Sequence, residues 1–548
     1  MNKKLIVAAM APFALAACMG TGEGPQKTSA NAMPEISADR IKAHMTFLAD
    51  DAMMGRNTGS KEYTIAANYV ATQYKLMGLK PMGDNGSYFQ TVNFAQYMLD
   101  GDKSAMSMMA GGKMTNLSFG TDYIYIPSVS HPNRAVKADE VVFVGYGTAA
   151  EVKGMDLSGK VVAYLSGKRS AVDGAKASII LRNDAREKRS PYARVAAYYK
   201  NSGSSMMNPE GKPMGGRGVE GAHVSAILNN KVSQSFAKAA GMDLEAMTKM
   251  ADAKGFKPTS MKVSVDLAAV TKIGKSVNSP NVVAVMEGSD PKLKDEYVII
   301  SAHLDHVGAG EANCHKRAND TSKKGDVICN GAMDNASGIS TMLEAANAFT
   351  KGKAPRRSVM FIALTAEEKG LLGAKYFTEY PTVPLKQIAA DVNLDMPILT
   401  YNFADVVAFG GEHSTIGEKA AKALAKIGVG LAEDPMPEQN LFRRSDHYMF
   451  VLKGVPSVFL MSGPNEVGQP AGEGLKKFKK FLNTNYHSPA DDLSQPLLWD
   501  VAAKFSLAKY LIISEIANAD DRPLWYEGNE YGDKYAPNAP KAPKKAMK

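Results

Sequence analysis

The sequence predicts an α/β fold in which a mostly parallel sheet is flanked by helices and interrupted by a β-rich insert. Three observations indicate this class. After residue 278, apolar runs of strand length alternate with helical patterns, as in proteins built from βα units. The run 358–364 is apolar without alternation, which is typical of a parallel strand buried on both faces. From about residue 94 to residue 271, the chain changes to short β-like runs separated by turns.

The length of 548 residues favours two or three domains. We predict a main domain from residues 36–95 and 275–520, an insert from 96–274 and a C-terminal tail from 521–548. The net charge is +9, but residues 534–548 contain five lysines and no acid, so much of the basic character belongs to the tail. No basic patch is interleaved with aromatic residues, which argues against nucleic acid as a partner. No apolar run reaches the roughly 18 residues that span a bilayer.

Residues 1–17 have the pattern of a secretory signal peptide, with Lys3 and Lys4 before an apolar stretch and small residues. The sequence Leu15-Ala16-Ala17-Cys18 resembles a bacterial lipobox, which implies cleavage before Cys18 and lipid attachment to its thiol. The alternative is an ordinary signal peptide with an incidental cysteine. Since residue 19 is methionine rather than aspartate, we expect an exported, periplasmic protein anchored in the outer membrane. Residues 18–35 are predicted to form a tether.

In the main domain, Ser37 is placed to cap a first helix, and a second helix is predicted from residue 61 to residue 77, before Gly78. The later strands are predicted at 282–286, 296–302, 358–364, 391–395 and 455–461. Helical patterns cover 336–349 and 414–427. The insert contains no histidine or acid cluster with the spacing of metal ligands, so we expect no chemistry of its own there.

Chemistry-bearing residues follow several of these runs. The run that begins at residue 297 ends in His303-Leu304-Asp305, and strand alternation directs His303 and Asp305 the same way. Asp305 is then placed to accept the second imidazole N–H of a metal-bound His303. A pair of surface polar residues is the alternative interpretation.

Asp334 precedes the helical stretch that begins near residue 336, either as a helix cap or as an aspartate that binds one cation with each oxygen. Glu367-Glu368 directly follows the apolar run 358–364. Two adjacent carboxylates at a buried strand end are costly without a cation. One acid would then bind the metal and the other would act as general base, unless the pair is a solvated helix cap.

Asp395 ends another apolar run, and His487 lies in a turn-rich stretch. Each element has an ordinary structural explanation when taken alone. Five of them in this order, four at the end of an apolar run or the start of a helix, indicate a two-metal hydrolase. The separations of 31, 34 and 27 positions between the first four candidates suit about one βα step each.

The chain resembles the two-zinc aminopeptidase family that also contains the glutamate carboxypeptidases, over about residues 36–100 and 278–518. The motifs that carry the resemblance are His303-Leu304-Asp305, Gly331-Ala332-Met333-Asp334-Asn335-Ala336-Ser337-Gly338, Glu367-Glu368-Lys369-Gly370, Leu394-Asp395 and Tyr486-His487-Ser488. The insert is similar to a protease-associated domain, on the sequence Leu157-Ser158-Gly159-Lys160-Val161-Val162.

The resemblance implies two zinc ions and a role for each matching residue. His303 and Asp395 would bind one ion, Glu368 and His487 the other, and Asp334 would bridge them. Asp305 would orient His303, Glu367 would be the general base, and Tyr486 would donate a hydrogen bond to the oxyanion. Ser445-Asp446-His447 resembles a family stretch near the substrate pocket, or is a helix cap.

One departure from the family is the longer separation between His303 and Asp334. The extra segment, residues 309–330, contains Cys314 and Cys329, which in an exported protein would form a disulfide that pins a loop beside the site. Two free thiols are the alternative. Since such a loop would reshape the substrate entrance, the family's substrate preferences transfer poorly to this chain.

The implied activity is hydrolysis of peptide bonds, with an aminopeptidase favoured. A carboxypeptidase or dipeptidase would use the same metals and need a basic group such as Arg443 or Arg444 for the substrate carboxylate. A different two-zinc amidohydrolase family with similar motifs carries its inserted domain after the Glu-Glu pair, whereas this insert lies upstream. A non-catalytic binding protein on the same scaffold would typically lack ligands that are all present here.

Overall fold

The computed structural model describes residues 33–216, 223–310, 313–317 and 319–543. The predicted signal peptide and the tether up to residue 32 lie outside the described residues. From Ile36 onward, the chain forms one compact unit. Among the described residues, no helix is both long enough and apolar enough to cross a membrane.

The helices are numbered in chain order. They are α1 (Ala38–Leu48), α2 (Lys61–Leu76), α3 (Asp184–Arg189), α4 (Tyr192–Lys200), α5 (Asn230–Ala239), α6 (Leu244–Asp252), α7 (Ser337–Lys351), α8 (Leu372–Glu379), α9 (Ile416–Ala425), α10 (His447–Val451), α11 (Glu473–Thr484), α12 (Trp499–Asn518) and α13 (Glu530–Tyr535).

The strands are numbered in the same way. They are β1 (Lys80–Pro81), β2 (Phe89–Gln90), β3 (Asn93–Leu99), β4 (Ala105–Ala110), β5 (Lys113–Leu117), β6 (Tyr123–Tyr125), β7 (Asn133–Ala138), β8 (Val141–Phe143), β9 (Val161–Leu165), β10 (Ala177–Leu181), β11 (Gly203–Met207), β12 (Pro213–Gly216), β13 (Val224–Leu228), β14 (Thr259–Met261), β15 (Ser264–Asn278), β16 (Asn281–Met286), β17 (Tyr297–His303), β18 (Gly308–Ala309), β19 (Ile328–Cys329), β20 (Ser358–Leu364), β21 (Ile388–Leu394), β22 (Asp405–Phe409), β23 (Gly430–Ala432), β24 (Ser457–Ser462), β25 (Trp525–Tyr526) and β26 (Lys541–Ala542).

The main sheet has nine strands in the order β1-β16-β20-β17-β21-β24-β22-β23, with β2 also paired to β16. The four central strands, β20, β17, β21 and β24, are parallel, as predicted. The outer strands β1, β2 and β16 are antiparallel, and β22 runs antiparallel to β24. All residues of β20 and β21 are buried, which explains their continuous apolar sequences.

Helices cover both faces of this sheet. Alternate residues of β17 and β20, such as Val298 and Phe361, pack in one large core with α1, α2, α7, α9 and α12. The intervening residues, such as Ile299 and Ile362, pack in a second core with α8 and α10. The α/β class is therefore confirmed, with each strand contributing one set of side chains to each layer.

The first two helices begin where the sequence predicts them. The Ser37 hydroxyl accepts a hydrogen bond from the Arg40 N–H at the beginning of α1. Helix α1 buries Ile41, Met45 and Leu48, the residues with helical spacing in the sequence. Helix α2 covers almost the whole of the predicted range 61–77.

Residues 93–278 build two further sheets. One contains β14, β8, β9, β10, β13 and β6, and the other contains β12, β11, β3, β15, β4 and β5, with β7 also paired to β15. They share a core of their own, which includes Tyr123, Phe143 and Phe236. These two sheets occupy the region predicted as the insert from 96–274. Its identification as a protease-associated domain remains a prediction.

The prediction of a C-terminal tail from residue 521 is wrong for the residues that the structure describes there. Trp525 is only 2 % exposed, and its indole N–H donates to the Gly454 carbonyl oxygen at 2.8 Å. Strand β25 pairs with β26, and α13 lies between them in sequence. Aromatic side chains anchor this segment, although lysine and proline dominate the composition of its end.

Candidate metal centre

The central strands bring most of the candidate residues to one edge of the sheet. Strand β17 lies between β20 and β21, and all three run in the same direction. His303 ends β17, Glu367 and Glu368 follow β20, and Asp395 follows β21. Ligands bind at this carboxyl edge in open α/β sheets, so the sequence positions of these residues predicted their meeting.

The first cluster contains His303, Asp334 and Asp395. The His303 Nε2 atom lies 3.2 Å from Asp334 Oδ1 and 3.2 Å from Asp395 Oδ1. All three side chains are buried. Asp334 reaches them from the turn Ala332–Ala336, which leads into α7.

The second cluster contains Asp334 again, together with Glu368 and His487. The His487 Nε2 atom lies 3.1 Å from Asp334 Oδ2 and 3.1 Å from Glu368 Oε2. Asp334 therefore presents one carboxylate oxygen to each cluster, the arrangement expected of a bridging ligand. His487 follows α11, and its backbone has a positive φ of 54°.

A third histidine, His306, belongs to the second cluster and was missed in the sequence analysis. Its Nδ1 atom lies 2.8 Å from Glu368 Oε1 and 3.8 Å from Asp334 Oδ2, and the side chain is fully buried. Its place three residues after His303 was a signal, but odd spacing predicts opposite directions along a strand. Because β17 ends at His303, that alternation does not apply to His306.

The two clusters have the donor set of a zinc site. Imidazole nitrogens and carboxylate oxygens are the ligands that zinc takes besides thiolate. Within each cluster, one donor atom per residue lies within 4.8 Å of the others, and the second cluster includes His306. A cation would offset the repulsion among these buried carboxylates.

The surroundings shift the pKa values of the two adjacent glutamates in opposite directions. Burial raises the pKa of Glu367 well above its usual range, and the carboxylates of Asp395 and Glu368 push it the same way. Burial also acts to raise the pKa of Glu368, but His487 and His306 hold it well below its usual range. Paired acids with diverging pKa values are the pattern of a proton carrier beside a permanently charged ligand.

Asp305 supports His303 differently from the prediction. The His303 Nδ1 atom hydrogen-bonds the backbone carbonyl oxygen of Asp305 at 3.0 Å, whereas the Asp305 carboxylate lies 3.9 Å away. That carboxylate accepts hydrogen bonds from the Thr58 hydroxyl at 3.0 Å and from the Glu367 N–H at 3.1 Å. Asp305 thus fixes the ring of His303 through its backbone and the turn of Glu367 through its side chain.

Neighbouring polar groups hold the aspartates. The Ser445 hydroxyl donates to Asp395 Oδ2 at 2.7 Å, leaving Oδ1 beside His303. Asp491 accepts the N–H groups of Met333 at 2.9 Å and Asp334 at 3.0 Å, which fixes the turn that carries Asp334. These partners were not predicted as site residues, except that Ser445 lies in a stretch that resembled the family.

Arg56 joins two segments that carry candidate ligands. This buried guanidinium donates to the carbonyl oxygens of Leu304 at 3.0 Å, Asn330 at 2.7 Å and Gly331 at 3.2 Å. At Gly331, φ is +61° and a Cβ atom would lie 2.6 Å from the His306 ring, so only glycine fits there.

Tyr486 stacks on the His487 ring, with ring centroids 3.8 Å apart. Burial raises its pKa well above the usual range, and the nearby Asp334 and Glu368 carboxylates act in the same direction, so its hydroxyl keeps its proton. Arg443 lies elsewhere: its guanidinium donates to the Tyr531 hydroxyl at 2.9 and 2.7 Å. His447 is buried against the rings of Phe442 and Phe459.

The predicted disulfide is present. The sulfur atoms of Cys314 and Cys329 are 2.08 Å apart, so this bond crosslinks the extra segment between His303 and Asp334. The segment begins and ends in the paired strands β18 and β19.

Comparison with known proteins gives one family and several relatives. Residues 281–511 match the model of Peptidase family M28. A probable leucine aminopeptidase 2 of Aspergillus oryzae is 26% identical over 414 residues, covering 72% of this chain and 71% of that protein. A probable lipoprotein aminopeptidase of Mycobacterium tuberculosis is 24% identical over 481 residues, covering 84% of this chain and 81% of its own length.

A solved structure, the aminopeptidase from Aneurinibacillus sp. strain AM-1, superposes with a TM-score of 0.50. It is 20% identical in sequence, and the match covers 88% of this chain and 93% of that one. At this identity the likeness shows the fold.

Proposed function

We propose that this chain, whose residues 281–511 belong to peptidase family M28, is a zinc-dependent aminopeptidase that removes N-terminal residues from peptides. One observation carries the proposal. Two clusters of zinc-type donors share the carboxylate of Asp334, and Glu367, with a raised pKa, follows the same strand as one ligand. A bridging acid beside a proton carrier is the arrangement that two-metal hydrolysis needs.

His303 and Asp395 would hold one zinc ion, Glu368 and His487 the other, and Asp334 both. When bound, zinc activates a water and polarises the peptide carbonyl. His306, whose ring lies beside Glu368, completes the second cluster.

Glu367 takes the proton from the attacking water as the new C–O bond forms. The peptide carbonyl oxygen gains negative charge at this stage, and the Tyr486 hydroxyl donates a hydrogen bond to it. Glu367 then returns the proton to the leaving amine as the C–N bond breaks. The products are one free amino acid and a peptide shortened by one residue.

The position of Arg443 argues against one of the two basic groups, Arg443 and Arg444, that a carboxypeptidase would use. A carboxypeptidase needs a basic group for the terminal carboxylate of its substrate. The Arg443 guanidinium is committed to Tyr531 and lies 5.3 Å from the centre of that ring, within the C-terminal packing. This contact supports the reading that Arg443 does not serve the substrate.

The protein would act outside the cytoplasm. The signal peptide of residues 1–17, followed by Cys18, supports export and a lipid anchor in the outer membrane, with residues 18–35 as the tether. Peptides in the periplasm would then be the substrates. Residues 96–274 would form a protease-associated domain beside the catalytic domain.

A panel of substrates tests the activity. Purified protein is assayed on aminoacyl-anilides and on N-blocked peptides, with and without chelator, beside Glu367→Gln. We expect chelator-sensitive cleavage of free-amine substrates alone. The rate in Glu367→Gln should fall at least about 100-fold, because that is the usual contribution of a general base.

Zinc content is measured in both proteins as the control, since Glu367 is not one of the ligands. Two zinc ions per chain in the variant would show that the loss lies in proton transfer. Cleavage of N-blocked substrates would instead support a carboxypeptidase or an endopeptidase. Protein that holds zinc and cleaves nothing would support a binding protein.

A further inference from the structure

We infer that Arg317 is a positioning residue for His487, held in place by the Cys314–Cys329 disulfide. Arg317 lies on the segment that separates β18 from β19, and it reaches the backbone immediately before His487. The inference deepens the proposed function and rests on it, because it treats His487 as a zinc ligand.

His487 needs support from its surroundings. Its φ of +54° lies in the left-handed region, which is strained for a residue other than glycine. Its side chain is also 30% exposed, whereas the other predicted zinc ligands are at most 8% exposed. Burial alone therefore holds this imidazole less firmly than the rest.

Arg317 controls the peptide unit that sets this backbone angle. Its Nε–H donates to the Tyr486 carbonyl oxygen at 2.8 Å. That carbonyl belongs to the same planar unit as the His487 N–H. The unit cannot rotate to relax φ of His487 without breaking the hydrogen bond.

Side-chain contacts also connect Arg317 to His487, through the ring of Tyr486. The Arg317 guanidinium carbon lies 5.5 Å from the centre of the Tyr486 ring, within the range of a cation–π contact. The same ring stacks on the His487 imidazole, with ring centroids 3.8 Å apart. Arg317 therefore restrains the phenol against which the imidazole stacks.

The disulfide connects the segment of Arg317 to the backbone that leads to Asp334. Cys314 lies three residues before Arg317, and Cys329 ends β19, five residues before Asp334. The Arg317 N–H also donates to Asp320 Oδ2 at 3.4 Å. The crosslinked segment thus connects the backbone that leads to Asp334 with the turn that presents His487.

The test is zinc binding by Arg317→Ala, measured by competition with a chromophoric chelator. We expect one of the two ions to bind about 10- to 100-fold more weakly, the usual effect of removing a group that orients a ligand. The other ion should bind as in the wild type. The zinc affinity of Arg317→Lys should lie between those of the wild type and Arg317→Ala, since lysine keeps the charge but not the planar donor.

Lys316→Ala is the matched control, because Lys316 is exposed on the same segment and donates to the Lys323 carbonyl oxygen. It should bind both ions normally. Urea unfolding of the metal-free proteins separates positioning from folding. A loss of metal-free stability in Arg317→Ala that accounts for the weaker zinc binding would overturn the inference, as would unchanged zinc affinity.

The double variant Cys314→Ser, Cys329→Ser is expected to bind the same ion more weakly than the wild type. Retention of both ions at wild-type affinity would overturn the part assigned to the disulfide. A wild-type protein that binds no zinc would instead contradict the proposed function, so the two failures are distinguishable.

Discussion

His44 shows how burial sets the charge of a single side chain in this protein. It lies on the inner side of α1, and its Nδ1 atom is 2.8 Å from the Tyr69 hydroxyl. Burial lowers the pKa of His44 to about 4, and the nearby charges of Glu344 and Arg40 oppose each other. The folded protein therefore holds this imidazole neutral at pH values where an unfolded chain would protonate it.

This difference predicts a pH-dependent stability. The pKa of His44 is lower in the folded state, so the unfolded chain binds more protons below pH 6.5. Stability is therefore lost as the pH decreases through this range. Between pH 7 and pH 4.5 the loss from this residue should be about 2 kcal/mol. Urea unfolding of metal-free wild type and His44→Gln at both pH values measures it.

The His44→Gln variant has no imidazole to protonate at this position, so its stability should fall less between pH 7 and pH 4.5. Both proteins lose the contributions of other groups equally. Parallel pH profiles for the two proteins would contradict the assignment.

Helix α12 carries a lysine into an apolar interface with α7. The Lys509 side chain is 1% exposed, and its Nζ donates to the Thr341 hydroxyl at 2.7 Å. That hydroxyl donates in turn to the Ser337 carbonyl oxygen at 2.6 Å, so it stays bonded without the lysine. Burial lowers the pKa of Lys509 well below its usual range.

Lys509→Met is therefore expected to raise the free energy of unfolding at pH 7 by about 1–3 kcal/mol. Methionine has a similar length and removes the cost of burying an amine. The gain should shrink as the pH rises towards the usual lysine pKa, because the unfolded chain then also loses its proton. Urea unfolding at several pH values measures both effects.

Lys504→Met on the same helix is the control. The Lys504 Nζ donates to Asn402 Oδ1 at 2.9 Å and to the Phe403 carbonyl oxygen at 2.6 Å, and the residue is partly exposed. This substitution should lower stability by about 1 kcal/mol. A loss of stability in Lys509→Met would show that its hydrogen bond outweighs the burial of the amine.

At the scale of the whole molecule, the site joins parts of the chain that lie far apart in sequence. Its predicted ligands extend from His303 to His487, and Arg56 from the N-terminal segment supports them. The insert contacts α8, the helix that follows Glu368, since the Lys375 Nζ donates to the Met214 carbonyl oxygen in β12 at 2.6 Å. The insert therefore packs directly against the segment that contains Glu367 and Glu368.

The N-terminal leader predicts the cellular location of the protein. In a bacterial host, we expect the wild-type protein to fractionate with the outer membrane and to incorporate labelled fatty acid. Cys18→Ser should leave that membrane fraction and lose the label, because the acceptor thiol is gone. Identical fractionation of the two proteins would contradict the lipid anchor.

The sequence by itself determined the α/β class, the central parallel strands and the position of most candidate ligands. These features are local: an apolar run that ends in a histidine or an acid places that residue at the carboxyl edge of the sheet. The disulfide between Cys314 and Cys329 could also be predicted from the sequence, since only these two cysteines remain beyond the leader.

Only the tertiary structure decided what lies between the strand ends. His306 joins the second cluster because β17 ends before it, and Asp305 orients His303 through a backbone carbonyl. The folding of residues 525–542 against the domain and the contact from Arg317 to Tyr486 also have no sequence pattern. Periodicity fixes the direction of a side chain within one element, but distances between elements depend on register and on the path of the turns.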